Sequence, residues 1–155
     1  MKIQTYPLLV GLLLVLNAST CTHKSLGPSS GDVNSAQNVS FCELIAKPDQ
    51  YRNKVIQTEA ILYSDQENSA LYSPDCVGPE KDVWANFEPG YQYRDESVKR
   101  KFKDVDCPIP RCPSVKTKVT VVGRFEGPSE QGYGHMSAYR FRIVIMRIVA
   151  AEKVS

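Results

Sequence analysis

The sequence predicts a mainly-β domain: a barrel of five strands, with a short helix ahead of the first strand and a second helix between the third and fourth. Three observations carry this expectation. Apolar and polar residues alternate along "KVIQTEAILYS", "TKVTVVGRFEG" and "AYRFRIVIMRIVA", the period of a strand. Val98, Phe102 and Val105 instead recur at four and three residues inside "RDESVKRKFKDV", the period of a helix. Gly123 interrupts a strand run where a barrel needs a sharp bend.

The chain has 155 residues, 42% of them apolar and 23% charged, the length and composition of one globular domain. Residues 1–20 stand outside it as an export signal. Lys2 supplies a positive start, and Tyr6–Leu16 is an apolar run of about a dozen residues, too short to span a bilayer but suited to a signal core. Cleavage fits after Ala18 or before Cys21. At the second site "ASTC" resembles the box that precedes a bacterial lipoprotein cysteine, with Ala18 and Thr20 where that box usually has Leu and Gly or Ala. Cysteine parity favours lipidation of Cys21, because five cysteines in an exported chain leave one over. A free thiol in a flexible tail is the alternative. Residues 21–39, rich in Ser, Gly and Asn, then read as a tether of typical reach about 25 Å, and residues 40–152 as the folded domain.

Within the domain, Ser40 and Glu43 form a capping box ahead of Phe41, Leu44 and Ile45, which gives a short helix. Pro48 is expected to end it at Lys47, with a turn over residues 49–53. The first strand follows, with Ile56, Thr58, Ala60 and Leu62 on one side. "SALYS" is a short second strand, and "DVWANF" a third, in which Val83, Ala85 and Phe87 alternate against Trp84 and Asn86. The "RDESVKRKFKDV" helix comes next. The last two strands carry Val119, Val121 and Phe125, and Phe141, Ile143 and Ile145, and are joined through the Gly-rich "PSEQGYGHMS" as a hairpin. A strand-only sandwich is the competing architecture.

This order resembles the oligonucleotide/oligosaccharide-binding (OB) fold, a five-stranded barrel with a helix between strands three and four. Locally, "CELIAKPDQYRNKVIQTEAIL", "LYSPDC", "VWANF" and "GYGHMSAYRFRIVI" are similar to segments of small exported bacterial OB-like proteins without an assigned activity. The resemblance implies a fold and leaves the function open.

Cys42, Cys76, Cys107 and Cys112 could ligate zinc, but zinc sites favour tight pairs on both sides, and only Cys107 and Cys112 are close in sequence. Disulfides suit an exported chain better. Three pairings are open, and proximity along the elements favours Cys42–Cys76 with Cys107–Cys112.

No catalytic or cofactor motif stands out, so the sequence predicts a non-enzymatic envelope module with a protein or glycan partner, membrane contact through the N-terminal lipid, and no cofactor. OB folds bind along strands two and three, which carry Tyr72 and Trp84 here. Trp84 is out of phase with the core positions, so it faces outward unless a helix or plug covers it. These two residues and His135 are the candidate ligand contacts, for an oligosaccharide or other small ligand as the alternative function. His135, the one histidine beyond the tether, would more simply fix its hairpin; a hydrolase would pair it with Glu126 or Glu130. Gly132 and Gly134 beside it supply turns and no phosphate cradle, since no helix follows. Lys99, Arg100, Lys101 and Lys103 read as a solvated helix face offset by Asp95, Glu96, Asp104 and Asp106. A net charge of +2 gives no support to nucleic-acid binding.

Overall fold

The computed structural model describes residues 32–65, 67–78, 80–103 and 115–154. The elements are β1 (Gln37–Asn38), α1 (Phe41–Ala46), α2 (Pro48–Tyr51), β2 (Val55–Ser64), β3 (Ser69–Tyr72), β4 (Val83–Tyr93), α3 (Glu96–Lys103), β5 (Val115–Glu126) and β6 (Arg142–Lys153). They form one mixed sheet in the order β1-β2-β3-β4-β6-β5, and β2 also pairs with β5, so the hydrogen bonds close into a ring. Within it β4 and β6 are parallel, whereas β2–β3, β3–β4, β5–β6 and β2–β5 are antiparallel.

The mainly-β class holds, and three finer expectations need correction. There are six strands, not five. The additional one, β1, is two exposed polar residues paired in parallel with Ile56 and Gln57, held by backbone bonds such as Val39 N–H to the Gln57 carbonyl at 3.0 Å. It has no apolar alternation to announce it. The helices are also displaced in the order: α1 follows the first strand, and α3 comes between the fourth and fifth strands. Pro48, finally, both stops and starts a helix. Lys47 adopts φ −130°, ψ 55°, outside the helical region disfavoured before a proline, while Pro48 at the first helical position opens α2, which buries Tyr51.

The strand phases agree with the sequence. Ile56, Thr58, Ala60 and Leu62 are all buried, as are Val83, Ala85, Val119, Val121, Phe125, Phe141, Ile143 and Ile145. Helices close over this core. Ser40 Oγ accepts from the Glu43 N–H at 3.2 Å, which fixes the start of α1 and turns Phe41 and Leu44 inward. Val98 and Phe102 do the same from α3, where Asp95 accepts from the Val98 N–H at 3.0 Å. That bond, followed by the Arg94 guanidinium, holds the Asp95 carboxyl below its ordinary pKa.

β4 extends six residues beyond the expected "DVWANF". Its register against β6 shifts between Phe87 and Gln92, where Glu88-Pro89-Gly90 interrupts the alternation and Gly90 takes φ +82°. Past the bulge, Tyr91 and Tyr93 return to the core side, where Tyr91 meets Phe87 at a ring distance of 5.0 Å and Tyr93 meets Phe102 at 5.8 Å. Gly123 sits at a register shift between β5 and β6, and a Cβ there would lie 2.6 Å from the Val144 carbonyl oxygen.

Cys42 on α1 and Cys76 in the loop after β3 form a disulfide with Cα atoms 5.1 Å apart, so the pair is a staple rather than half of a zinc site. Cys107, Cys112, Cys21, the export signal, most of the tether, and Val105, Asp104 and Asp106 lie outside the described residues.

Candidate functional site

The outer face of β3 and β4 is set by pairing. Leu71 opposite Val83 points into the core, so their neighbours Ala70 and Trp84, also directly opposite one another, point out. Tyr72 is two residues from Ala70 and therefore shares the face with Trp84. The same face continues across the parallel pairing of Trp84 with Arg142 and the antiparallel pairing of Arg142 with Glu126. A row of outward side chains thus crosses four strands in register.

Three loops are linked to one another here, and one of them lies on this row. Residues 65–68 join β2 to β3, residues 73–82 join β3 to β4, and residues 127–141 join β5 to β6. The first is built around Asp65, which accepts from the Tyr63 hydroxyl at 2.7 Å and from the backbone N–H groups of Glu67 and Asn68 at 2.9 and 2.7 Å. The tyrosine hydroxyl bond, then these backbone donors, holds the Asp65 pKa down to about 2. Glu67 and Asn68 are thereby aimed at the third loop: His135 Nε2 lies 3.5 Å from Glu67 Oε2, and the Tyr139 hydroxyl meets Asn68 Oδ1 at 3.5 Å. Arg140 bonds Glu80 of the second loop at 2.5 Å.

The third loop is an internally bonded hairpin. Tyr133 and Tyr139 exchange backbone bonds at 2.7 and 3.3 Å, and the Ser129 N–H donates to the Arg140 carbonyl at 3.0 Å. Its tip lies on Trp84. Tyr139 packs against the indole with centroids 5.3 Å apart, and a Cβ on Gly134 would fall 2.5 Å from Trp84 Cδ2 and 2.9 Å from Cζ3. Only a residue without a side chain can sit there. Burial raises the Tyr139 phenol pKa, with Asp82 and Asp65 adding to the rise.

Of the three predicted ligand contacts, Trp84 and His135 are brought into one neighbourhood. Trp84 is neither a core residue nor a bare platform; it faces outward and is half-covered by the hairpin. His135 is exposed and faces Glu67. Glu126, the carboxylate a hydrolase would pair with it, instead bonds Arg124 at 3.1 Å and Arg142. Arg142 also lies under the Tyr133 ring, 4.7 Å from its centroid. Glu130 is exposed. Tyr72 shares the face of Trp84 but is engaged by Lys116, whose Nζ is 5.8 Å from the ring centroid.

Sequence reasoning did not find Glu67, Asn68, Glu80, Tyr133, Tyr139 or Arg142 as members of this neighbourhood. Tyr133 aside, their contacts join residues 16 to 71 positions apart, and no local pattern marks such a pair. Elsewhere, an open polar cleft of about 400 Å³ lies between α1 and β2, lined in part by Glu43, Gln57, Thr58 and Thr120. Thr58 Oγ1 is buried with no hydrogen-bond partner among the described residues. No helix among the described residues is long and apolar enough to cross a membrane, and no cluster of His, Cys, Asp and Glu there could hold a metal ion.

Comparison with family models, with curated proteins and with solved structures finds no match to this chain.

Proposed function

We propose that this protein is a non-enzymatic binding module built on an OB-like barrel, exported and tethered to a membrane of the cell envelope through a lipid on Cys21, which engages an envelope glycan or protein through the outer face around Trp84. The observation that carries the reading is the seating of the 127–141 hairpin on Trp84, an outward aromatic residue of the sheet, with the loop at 65–68 bonded to that hairpin. In OB folds the ligand lies between the loop that joins the first two strands and the loop that joins the last two, over the second and third. Leaving β1 aside, the order of β2 to β6 supports this comparison: the loops at 65–68 and 127–141 join the first two and the last two of these strands, with Tyr72 on the second and Trp84 on the third. Met136, 87% exposed at the hairpin tip amid polar neighbours, adds an apolar contact at the rim.

The test is a titration of the purified protein with solubilised envelope material, following emission from Trp84, the chain's single tryptophan. A saturable change that is lost in Tyr72→Ala or Met136→Glu is the expected result. A response identical in wild type and both variants would place binding elsewhere. His135→Ala should leave no hydrolytic activity to lose.

A further inference from the structure

The indole face of Trp84 is a surface of the kind on which a flat apolar ring stacks, and part of this chain already lies on it. Gly134 rests against the six-membered ring, in the place a stacked ligand ring would take. We propose that the hairpin tip Gly132–Tyr139 is a displaceable strap that occupies this stacking position, and that its natural competitor is the apolar face of a pyranose ring in a glycan chain. This deepens the function proposed above and rests on it.

Four observations point the same way. First, the strap contributes nothing to the core: residues 134–138 are all exposed, and its contacts with the indole are the Gly134 backbone and the Tyr139 ring. Segments with few buried apolar contacts open at low free-energy cost while the rest of the fold stays closed. Second, its hydrogen bonds to the body are few and long, the Tyr133 ring on Arg142 at its base apart. His135–Glu67 and Tyr139–Asn68 each span 3.5 Å, so neither is a strong hydrogen bond. Third, its own bonds are internal, through the Tyr133–Tyr139 bridge, so the tip can lift without breaking the ladder between β5 and β6.

Fourth, the seated conformation is held by backbone geometry that few residues tolerate. Gly134 takes φ +72°, ψ −162°, a region open essentially to glycine alone, while Met136 and Ser137 take left-handed φ values of +52° and +57°. What the strap covers has the composition of a sugar platform. Trp84 provides the aromatic face, Ala70 opposite it leaves room, and Tyr72 extends the same face along β3. Asn68 and Glu67, now bonded to the strap, would be released as hydrogen-bonding groups for hydroxyls at its edge.

Gly134→Ala separates the two states. Alanine cannot adopt the backbone conformation of Gly134, and its Cβ would collide with the indole, so the variant should hold the strap off Trp84. The full chain is compared with wild type by Trp84 emission, acrylamide quenching and binding of triacetylchitotriose, with far-UV circular dichroism as the check on folding. The expected result is red-shifted emission, faster quenching, and affinity for the sugar increased about tenfold or more, because the wild type must first open. Unchanged emission and quenching would overturn the strap. Emission that shifts without sugar binding in either protein would overturn the glycan assignment, while a protein partner for this face would survive. If Gly134→Ala fails to fold, a Glu67→Ala, Asn68→Ala double variant decides, because it removes the two side-chain bonds that tie the strap to the 65–68 loop. Faster quenching of Trp84 than in wild type is expected, and unchanged quenching would refute the strap.

Discussion

Gly123 has a neighbour at each of the places a side chain would go. A Cβ there would meet the Val144 carbonyl oxygen at 2.6 Å and the Ile143 side chain at 2.7 Å, where β5 and β6 cross closely at a register shift. Backbone on one side cannot yield, so Gly123→Ala should cost about 1–3 kcal/mol, measured by urea denaturation. Thr58 is the opposite case. Its hydroxyl is buried in the phase of Ile56 and Ala60 without a partner among the described residues, so Thr58→Val exchanges an unsatisfied polar group for a methyl. The expected effect is neutral to stabilising by about 1 kcal/mol, and a loss larger than that would mean the hydroxyl is satisfied after all. Single residues were also where the sequence was most legible. The alternation that set Val83 and Ala85 inward set Trp84 outward, and the structure agrees. What alternation cannot give is the cover on Trp84, because Gly134 and Tyr139 reach it only through the closure of a hairpin some fifty residues away.

At the scale of elements, the turn at 65–68 and α1 each depend on one polar device. Asp65 titrates at 3.8 when unperturbed and at about 2 in the fold, so folding favours its ionised form. Its stabilisation is complete above about pH 4 and disappears as pH falls through about 2. The stability difference between wild type and Asp65→Asn, followed by denaturant titration, should therefore be constant near neutral pH and shrink on acidification through that window. A difference independent of pH would show that Asp65 does not hold the turn as an anion. The disulfide between Cys42 and Cys76 closes a separation of 34 residues. By loop entropy its removal in a Cys42→Ala, Cys76→Ala double variant should cost about 3–4 kcal/mol, a large part of what a small domain has. This pairing was readable from proximity along the predicted elements, and α1 was readable from its capping box. Two elements were not. β1 is held by backbone bonds alone and has no side-chain pattern, and α2 is a single turn started by the same proline that was expected to forbid it.

Taken whole, the molecule is a closed ring of strands with α1 and α3 packed on its core and an outward aromatic site half-covered by its own hairpin. The strands of the ring were legible because most of them alternate cleanly. Its function was not legible, since a binding face is made by loops whose members come together only when the ring closes. The proposed tether bears on how that face is used. With Gln37–Asn38 paired in the sheet and Val39 in the core, the tether is shorter than residues 21–39, and residues 21–36 would reach about 20 Å, so a lipid at Cys21 would keep the Trp84 face within reach of envelope components without dictating its orientation. Everything assigned to the envelope depends on that lipid.

The most direct measurement is the intact mass of the native protein from the membrane fraction, before and after reduction. The account predicts a chain beginning at Cys21 that carries acyl groups and gains one hydrogen for each paired cysteine on reduction. An unacylated chain in the soluble fraction, with Cys21 free or removed, would contradict it.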